Sequence, residues 1–249
     1  MKSYVLVLSI FLQVFITNSL TIPDYLPERC KISDPKYNRC LLEAVEKAKP
    51  YLIKGVPELK LPPLDPLVVE YALVNRTVDN LVNIYAVCKN AKITGFASTV
   101  IESIRFNPKN LIGEISLTVP FTRLSMEYDV KGQLLIVPLR SKGFFQGNFT
   151  DTTFNMKMSL KRIQKDGEDY LQIEKLLLKS KVSDGIIKLT SKNPDLQFAA
   201  DLIANFYNEN PRLVMDAINP IYVQYTADFF RNEFNKGLIN IPAKDLLPE

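Results

Sequence analysis

The sequence predicts an α+β protein: a highly curved antiparallel sheet wrapped on a long, kinked C-terminal helix, with a short N-terminal helix before it. Three observations carry this expectation. From residue 68 to about 190, apolar and polar residues alternate with period two. On either side of that stretch the apolar residues repeat at helical spacing instead. Finally, the strands have one dry face and the last helices one dry stripe, so each is the only partner able to cover the other.

Lys2 is followed by an apolar run from Tyr4 to Ile16 broken only by Ser9 and Gln13, then Thr17-Asn18-Ser19. A positive start, an apolar run of about 7–15 residues and small residues at −3 and −1 make a secretory signal peptide. The cut falls after Ser19, leaving residues 20–249 as a single domain. A membrane anchor needs about 20 apolar residues, which this run does not reach. Secretion sets an oxidising compartment, in which Cys30 pairs with Cys40 and Cys88 stays a free thiol. Cys88 is in phase with Val82, Ile84 and Ala86 on one strand face, so a buried, inert thiol is favoured over a reactive one. Two sequons, at Asn75 and Asn148, are candidate glycosylation sites on loops or outward strand positions.

Asp34 as N-cap and Pro35 at the first helical position open the first helix, whose inward residues are Tyr37, Leu41, Val45 and Ala48. Pro50 kinks or ends it, and Gly55 is a natural stop. Leu61-Pro62-Pro63-Leu64-Asp65-Pro66-Leu67 is too rich in proline for a helix or central strand, and reads as an extended connector. The sheet follows as a meander of six to nine strands. Its clearest piece is the apolar series Leu111, Gly113, Ile115, Leu117, Val119 and Phe121. Leu124, Met126, Tyr128 and Val130 make the next dry face, and Phe154, Met156, Met158 and Leu160 another. Lys131-Gly132, Asp166-Gly167 and Asp184-Gly185 are the turn signals between strands. The final helical stripes are Leu196, Ala199, Ala200, Ile203, Phe206 and Tyr207, then Val214, Ile218, Ile221 (or Tyr222), Tyr225 and Phe229, continuing to Phe234. Pro211 and Pro220 divide them into two kinked pieces, and Gly237 ends the helix.

The composition excludes much chemistry. Without a single histidine, no Ser-His-Asp triad, Cys-His pair or imidazole metal ligand can be built. Neither GxGxxG nor GxxxxGK[ST] occurs, so the common phosphate cradles are missing. A net charge of +4 is too small to argue for nucleic acid. Glu102, in phase with Val100, Ile104 and Phe106, is the single acid on an apolar strand face, and one acid is not a catalytic dyad. No enzymatic activity, cofactor or metal is expected.

The residues also carry a resemblance. Cys30 and Cys40 stand before and within a short helix, and the proline-rich connector Leu61–Leu67 follows. Further along come Tyr128-Asp129-Val130-Lys131-Gly132, Asp166-Gly167-Glu168-Asp169-Tyr170-Leu171, Asn205-Phe206-Tyr207-Asn208-Glu209-Asn210, and an end running through Ile241-Pro242 to Leu246-Leu247-Pro248. In this order, over nearly all of residues 20–249, the chain resembles the insect takeout and juvenile-hormone-binding-protein family. It departs at Glu127, where the family often has Gly, and at Pro211, where it often has Trp. The resemblance implies a secreted, monomeric carrier with an internal apolar tunnel for an elongated hydrophobic small molecule: a juvenile-hormone-like terpenoid, a fatty-acid-like lipid or an isoprenoid. A lipid-sequestering defence protein of the same fold is the alternative.

The residues expected to line such a tunnel are Phe106, Leu117, Val119, Phe121, Met126, Tyr128, Phe154, Met156, Met158, Leu202, Phe206, Tyr222 and Tyr225. Flexible methionines and flat aromatics re-pack around an apolar ligand, and each tyrosine adds one orienting hydroxyl. Each of these residues could equally be plain core. Between 157 and 192, nine basic residues face five acidic ones. A solvated outer strand face explains them; transient contact with anionic membrane is the functional alternative.

Overall fold

The period-two stretch folds into one antiparallel sheet, strongly curled, with seven strands among the described residues. The computed structural model describes residues 29–249 apart from 79–81 and 135–136. The strands are β1 (Leu67–Val78), β2 (Val82–Thr94), β3 (Val100–Asn107), β4 (Ile112–Leu134), β5 (Val137–Lys165), β6 (Glu168–Lys181) and β7 (Asp184–Ser191). The helices are α1 (Tyr37–Lys54), α2 (Gln197–Glu209), α3 (Pro211–Leu238) and the short α4 (Ala243–Leu246).

Two strands span the whole sheet: β4 has 23 residues and β5 has 29, and they pair from Ile112↔Ser159 to Leu134↔Val137. Shorter strands lie end to end along their outer sides. On β4, β2 pairs with the half beyond Thr122 and β3 with the half before Val119. On β5, β6 pairs with residues 153–165 and β7 with residues 143–150. Asp166 and Gly167, both at positive φ (52° and 81°), make the two-residue β5–β6 turn that the sequence signals. The other two turn signals are corrected. Gly132 lies inside β4 and Asp184-Gly185 opens β7, the break before it falling at Val182-Ser183. At Gly132 the neighbouring Asn83 carbonyl comes so close that a Cβ would sit 1.9 Å from it, which explains a glycine in mid-strand.

β4 and β5 change phase together. The inward residues of β4 are Gly113, Ile115, Leu117 and Val119, then Thr122, Leu124, Met126 and Tyr128. In β5 they are Phe145, Gly147 and Phe149, then Thr152, Phe154 and Met156. The ladder between the strands passes over Pro120, which has no N–H to give, and Asp151, which sits at φ 46°. A second irregularity makes Glu102 the extra residue between Ile101↔Leu117 and Ser103↔Ser116. Its side chain is therefore exposed, not in phase with Ile104 as the sequence pattern suggests.

The helices differ from expectation at their prolines. Asp34 and Pro35 form a turn before α1, with the Lys36 N–H donating to Asp34 Oδ1 at 2.7 Å. α1 then runs through Pro50 and stops at Gly55, where φ is 84°. Between α2 and α3 the break falls at Asn210, whose N–H donates to the Phe206 and Tyr207 carbonyls; Pro211 then starts α3, which continues through Pro220. Cys30 and Cys40 are joined by a disulfide that ties the incoming chain to the first turn of α1. The C-terminal segment closes this end: Ile32 N–H donates to the Pro248 carbonyl, Arg29 pairs with Asp245, and Lys244 pairs with Glu168.

Candidate functional site

The dry face of the sheet meets α2 and α3 in two apolar clusters. At one end Tyr128, Ile187 and Leu189, with Ile84, Phe145 and Phe149, pack on Ala200, Ala204 and Tyr207 of α2 and on Val214 and Ile221 of α3. At the other, Met156, Ile173, Leu176 and Leu178, with Leu117, Phe154 and Met158, pack on Ala227, Phe230 and Phe234 of α3. The Phe230 and Phe234 rings stack, with centroids 5.6 Å apart. Small alanines on the helices let the backbones approach, while long side chains from the sheet fill the space between.

Of the residues expected to line this space, Leu117, Phe154, Met156 and Met158 join the second cluster, and Tyr128 and Phe206 the first. Val119 is wholly buried, and Met126 and Tyr222 are half-buried. Phe106 lies apart, packed at the α4 end with Leu171, Ala243 and Leu247. Three placements are corrected. Phe121 is 43% exposed, because the phase change at Pro120 turns it outward beneath Arg123. Leu202 is 58% exposed, on the side of α2 opposite Ala200 and Ala204. Tyr225 is 37% exposed, at the margin of the stripe that buries Ile221 and Ala227.

The tyrosine hydroxyls divide into two kinds. Tyr128 Oη shares a hydrogen bond of 2.8 Å with Ser141 Oγ, and Tyr222 donates to Ser180 Oγ. Burial pushes both phenols above their ordinary pKa, and the serine bonds partly offset this. Tyr207, which the sequence reading placed in the core stripe without any polar role, is only 5% exposed. Its hydroxyl has no hydrogen-bond partner among the described residues. Burial first, and the nearby Asp184 second, push its pKa up to about 12. Cys88 is free and half-buried, opposite Tyr128 in the sheet, and burial raises its pKa as well.

Three amide side chains on the helices were not foreseen. Gln197 accepts from Ser191 N–H at 2.8 Å and donates to the Leu189 carbonyl at 3.0 Å. Asn208 does the same to both backbone groups of Ile187, at 2.9 and 3.0 Å. Asn235 does so to Ile173, at 2.7 and 3.0 Å. Each amide imitates the peptide of a missing strand along the β7 and β6 edge. The one sequence hint is a carboxamide beside an inward aromatic, as in Tyr207-Asn208 and Phe234-Asn235.

Two clefts with polar rims lie outside this interface. One, of about 460 Å³, is lined by Arg162, Gln164, Glu168, Asp169, Lys244 and Leu247; the other, about 230 Å³, by Asn38, Arg105, Phe106 and Glu114. The nine basic residues between 157 and 192 are all exposed. Lys157 pairs with Glu114, Lys161 with Glu174, Arg162 with Asp169 and Lys192 with Glu127, so the outer face neutralises much of its own charge. Asn75 and Asn148 are exposed on β1 and β5.

A curled antiparallel sheet closed by a long helical pair, with an apolar seam and no cluster of metal-ligating side chains among the described residues, sets the fold class. The chain belongs to the haemolymph juvenile hormone binding protein family, whose sequence model matches residues 5–248. It is 25% identical over 222 residues to the circadian clock-controlled protein daywake of Drosophila melanogaster, and 22% identical to daywake of Drosophila yakuba. Both alignments cover 86% of this chain and 84% of the relative. The crystal structure of Epiphyas postvittana Takeout 1 superposes with a TM-score of 0.73 at 19% identity, covering 90% of this chain and 100% of that one. The signal peptide expected over residues 1–19 lies outside the described residues.

Proposed function

We propose that the protein is a secreted carrier that holds one elongated apolar small molecule between the curled sheet and α2–α3, and releases it unchanged. The observation that carries this reading is the seam itself. Flexible Met156 and Met158 and the rings of Phe154, Phe230 and Phe234 meet at one end, and Phe145, Phe149 and Tyr128 at the other. Such side chains re-pack around an inserted apolar chain at little cost. Family membership supports the same class, and juvenile-hormone-like terpenoids, fatty-acid-like lipids and isoprenoids are the candidates. Leu117, Val119, Met126, Phe206 and Tyr222 belong to the proposed lining; Phe121 and Leu202 face outward and do not.

The test is organic extraction and mass spectrometry of protein purified from its native source, followed by titration with fluorescent fatty acids and terpenoid esters. A co-purifying lipid recovered intact supports the carrier. A chemically altered one would mark an enzyme, and no lipid together with no uptake would overturn the reading.

A further inference from the structure

Buried polar atoms in folded proteins almost always find a partner, so an unpaired one calls for an explanation. Among the described residues there are two such side-chain atoms, Tyr207 Oη and Asn219 Oδ1. Asn219 can only accept there, whereas Tyr207 has a proton to give. Tyr207 Oη lies over β7, where a Cβ added to Gly185 would stand 3.0 Å from it and 2.5 Å from the Phe149 ring. A glycine at 185 thus leaves the hydroxyl room between an aromatic ring and the strand.

We propose that Tyr207 fixes one end of the ligand by donating a hydrogen bond to a neutral oxygen, a ketone, ester carbonyl or alcohol, on an otherwise apolar molecule. This rests on the carrier reading above and narrows its ligand class. Two observations favour a neutral oxygen over a carboxylate. Asp184 directly precedes Gly185, over which the hydroxyl lies, and its Oδ1 accepts from the Gly185 N–H at 2.7 Å. An anionic head group at the hydroxyl would stand close to that like charge. The cluster that Tyr207 joins, with Phe149, Ile187 and Ala204, is apolar. Tyr128 and Tyr222 are less suited to this task, because each hydroxyl already has a serine partner.

The test displaces N-phenyl-1-naphthylamine from the purified full chain with three probes that share a sixteen-carbon chain: hexadecane, methyl palmitate and palmitate. The wild type should bind methyl palmitate about tenfold more tightly than hexadecane, equivalent to about 1.4 kcal/mol, and more tightly than palmitate. Tyr207→Phe should erase the ester's advantage and leave hexadecane unchanged. Asp184→Asn should strengthen palmitate alone. Because Tyr207→Phe removes an unsatisfied group, it should melt at or above the wild-type temperature. A lower melting temperature would show the hydroxyl to be structurally paired and overturn the proposal. Ester preference that survives in Tyr207→Phe, or palmitate outcompeting its ester, overturns the assignment of Tyr207 alone. No displacement by any probe overturns the carrier reading, and this proposal with it.

Discussion

Replacing Asn235 by alanine tests whether the helices are sewn to the sheet edge or merely packed on it. The side chain makes two hydrogen bonds to one residue, accepting from Ile173 N–H at 2.7 Å and donating to its carbonyl at 3.0 Å. Ile173 is among the buried residues of the core, so in Asn235→Ala its backbone groups lose their partner in a dry place. A buried group left unpaired costs about 1–3 kcal/mol, and partial entry of water brings the pair to about 2–4 kcal/mol together. For a domain of this size, 1 kcal/mol lowers the melting temperature by about 2–4 °C, so a loss near 3 kcal/mol means about 6–12 °C. Asn235→Asp should be at least as damaging, because it sets a carboxylate oxygen against the Ile173 carbonyl. Circular dichroism melts measure the global loss, and hydrogen exchange at the Ile173 amide measures the local one. A melt within 2 °C of wild type, with that amide still protected, would refute the clamp.

Other consequences are equally open to measurement. Cys30→Ser should fold and lose about 3 kcal/mol or less, since the bridged residues are only ten apart; exchange should rise in α1 before the sheet loosens. Cys88 should react with a thiol reagent far more slowly than a free cysteine until the chain is denatured, because burial disfavours its thiolate. Tyr128, Tyr207 and Tyr222 all have phenol pKa values above the ordinary 10. The folded state therefore holds its protons longer than the unfolded one. Stability should be level below pH 10 and fall from pH 10 toward about 12, with a shallower fall in Tyr207→Phe when melting is followed against pH. Binding to phosphatidylserine vesicles, if carried by the exposed basic residues between 157 and 192, should fade as salt rises above about 0.15 M; salt-independent binding would exclude them.

The sheet was legible because its strands are dry on one face only, so period two survives in the sequence from β1 to β7. The break before Pro211 was legible from the proline itself. Phe121 was misplaced because the apolar series through Val119 gives no sign that the next residue faces outward; that is decided by Asp151, distant in sequence and opposite Pro120 in space. Leu202 was misplaced because α2 is apolar on two sides: Phe198 and Leu202 point out while Ala200 and Ala204 are buried, so bulk misleads where the contact is made by small residues. The three amide clamps stayed hidden because a carboxamide on an apolar face looks like noise until the strand edge beside it is known. Tyr207 could not be told from Tyr225 by pattern, since both fall on aromatic helical stripes and only burial separates them.

The joint phase change of β4 and β5 also constrains how this chain can vary. Pro120 and Asp151 behave as a matched pair of insertions, one extra residue in each strand at the same level, so that Val119↔Thr152 and Phe121↔Thr150 keep one register. Deleting either alone would leave half of the β4–β5 ladder out of step by one residue, and a one-residue slip turns every side chain on that half to the wrong face. Deleting both would keep the register and the inward set, and remove only the local bend. A homologue lacking one of the two positions should therefore lack the other, and a single-residue gap at either site alone would identify a chain that cannot build this seam.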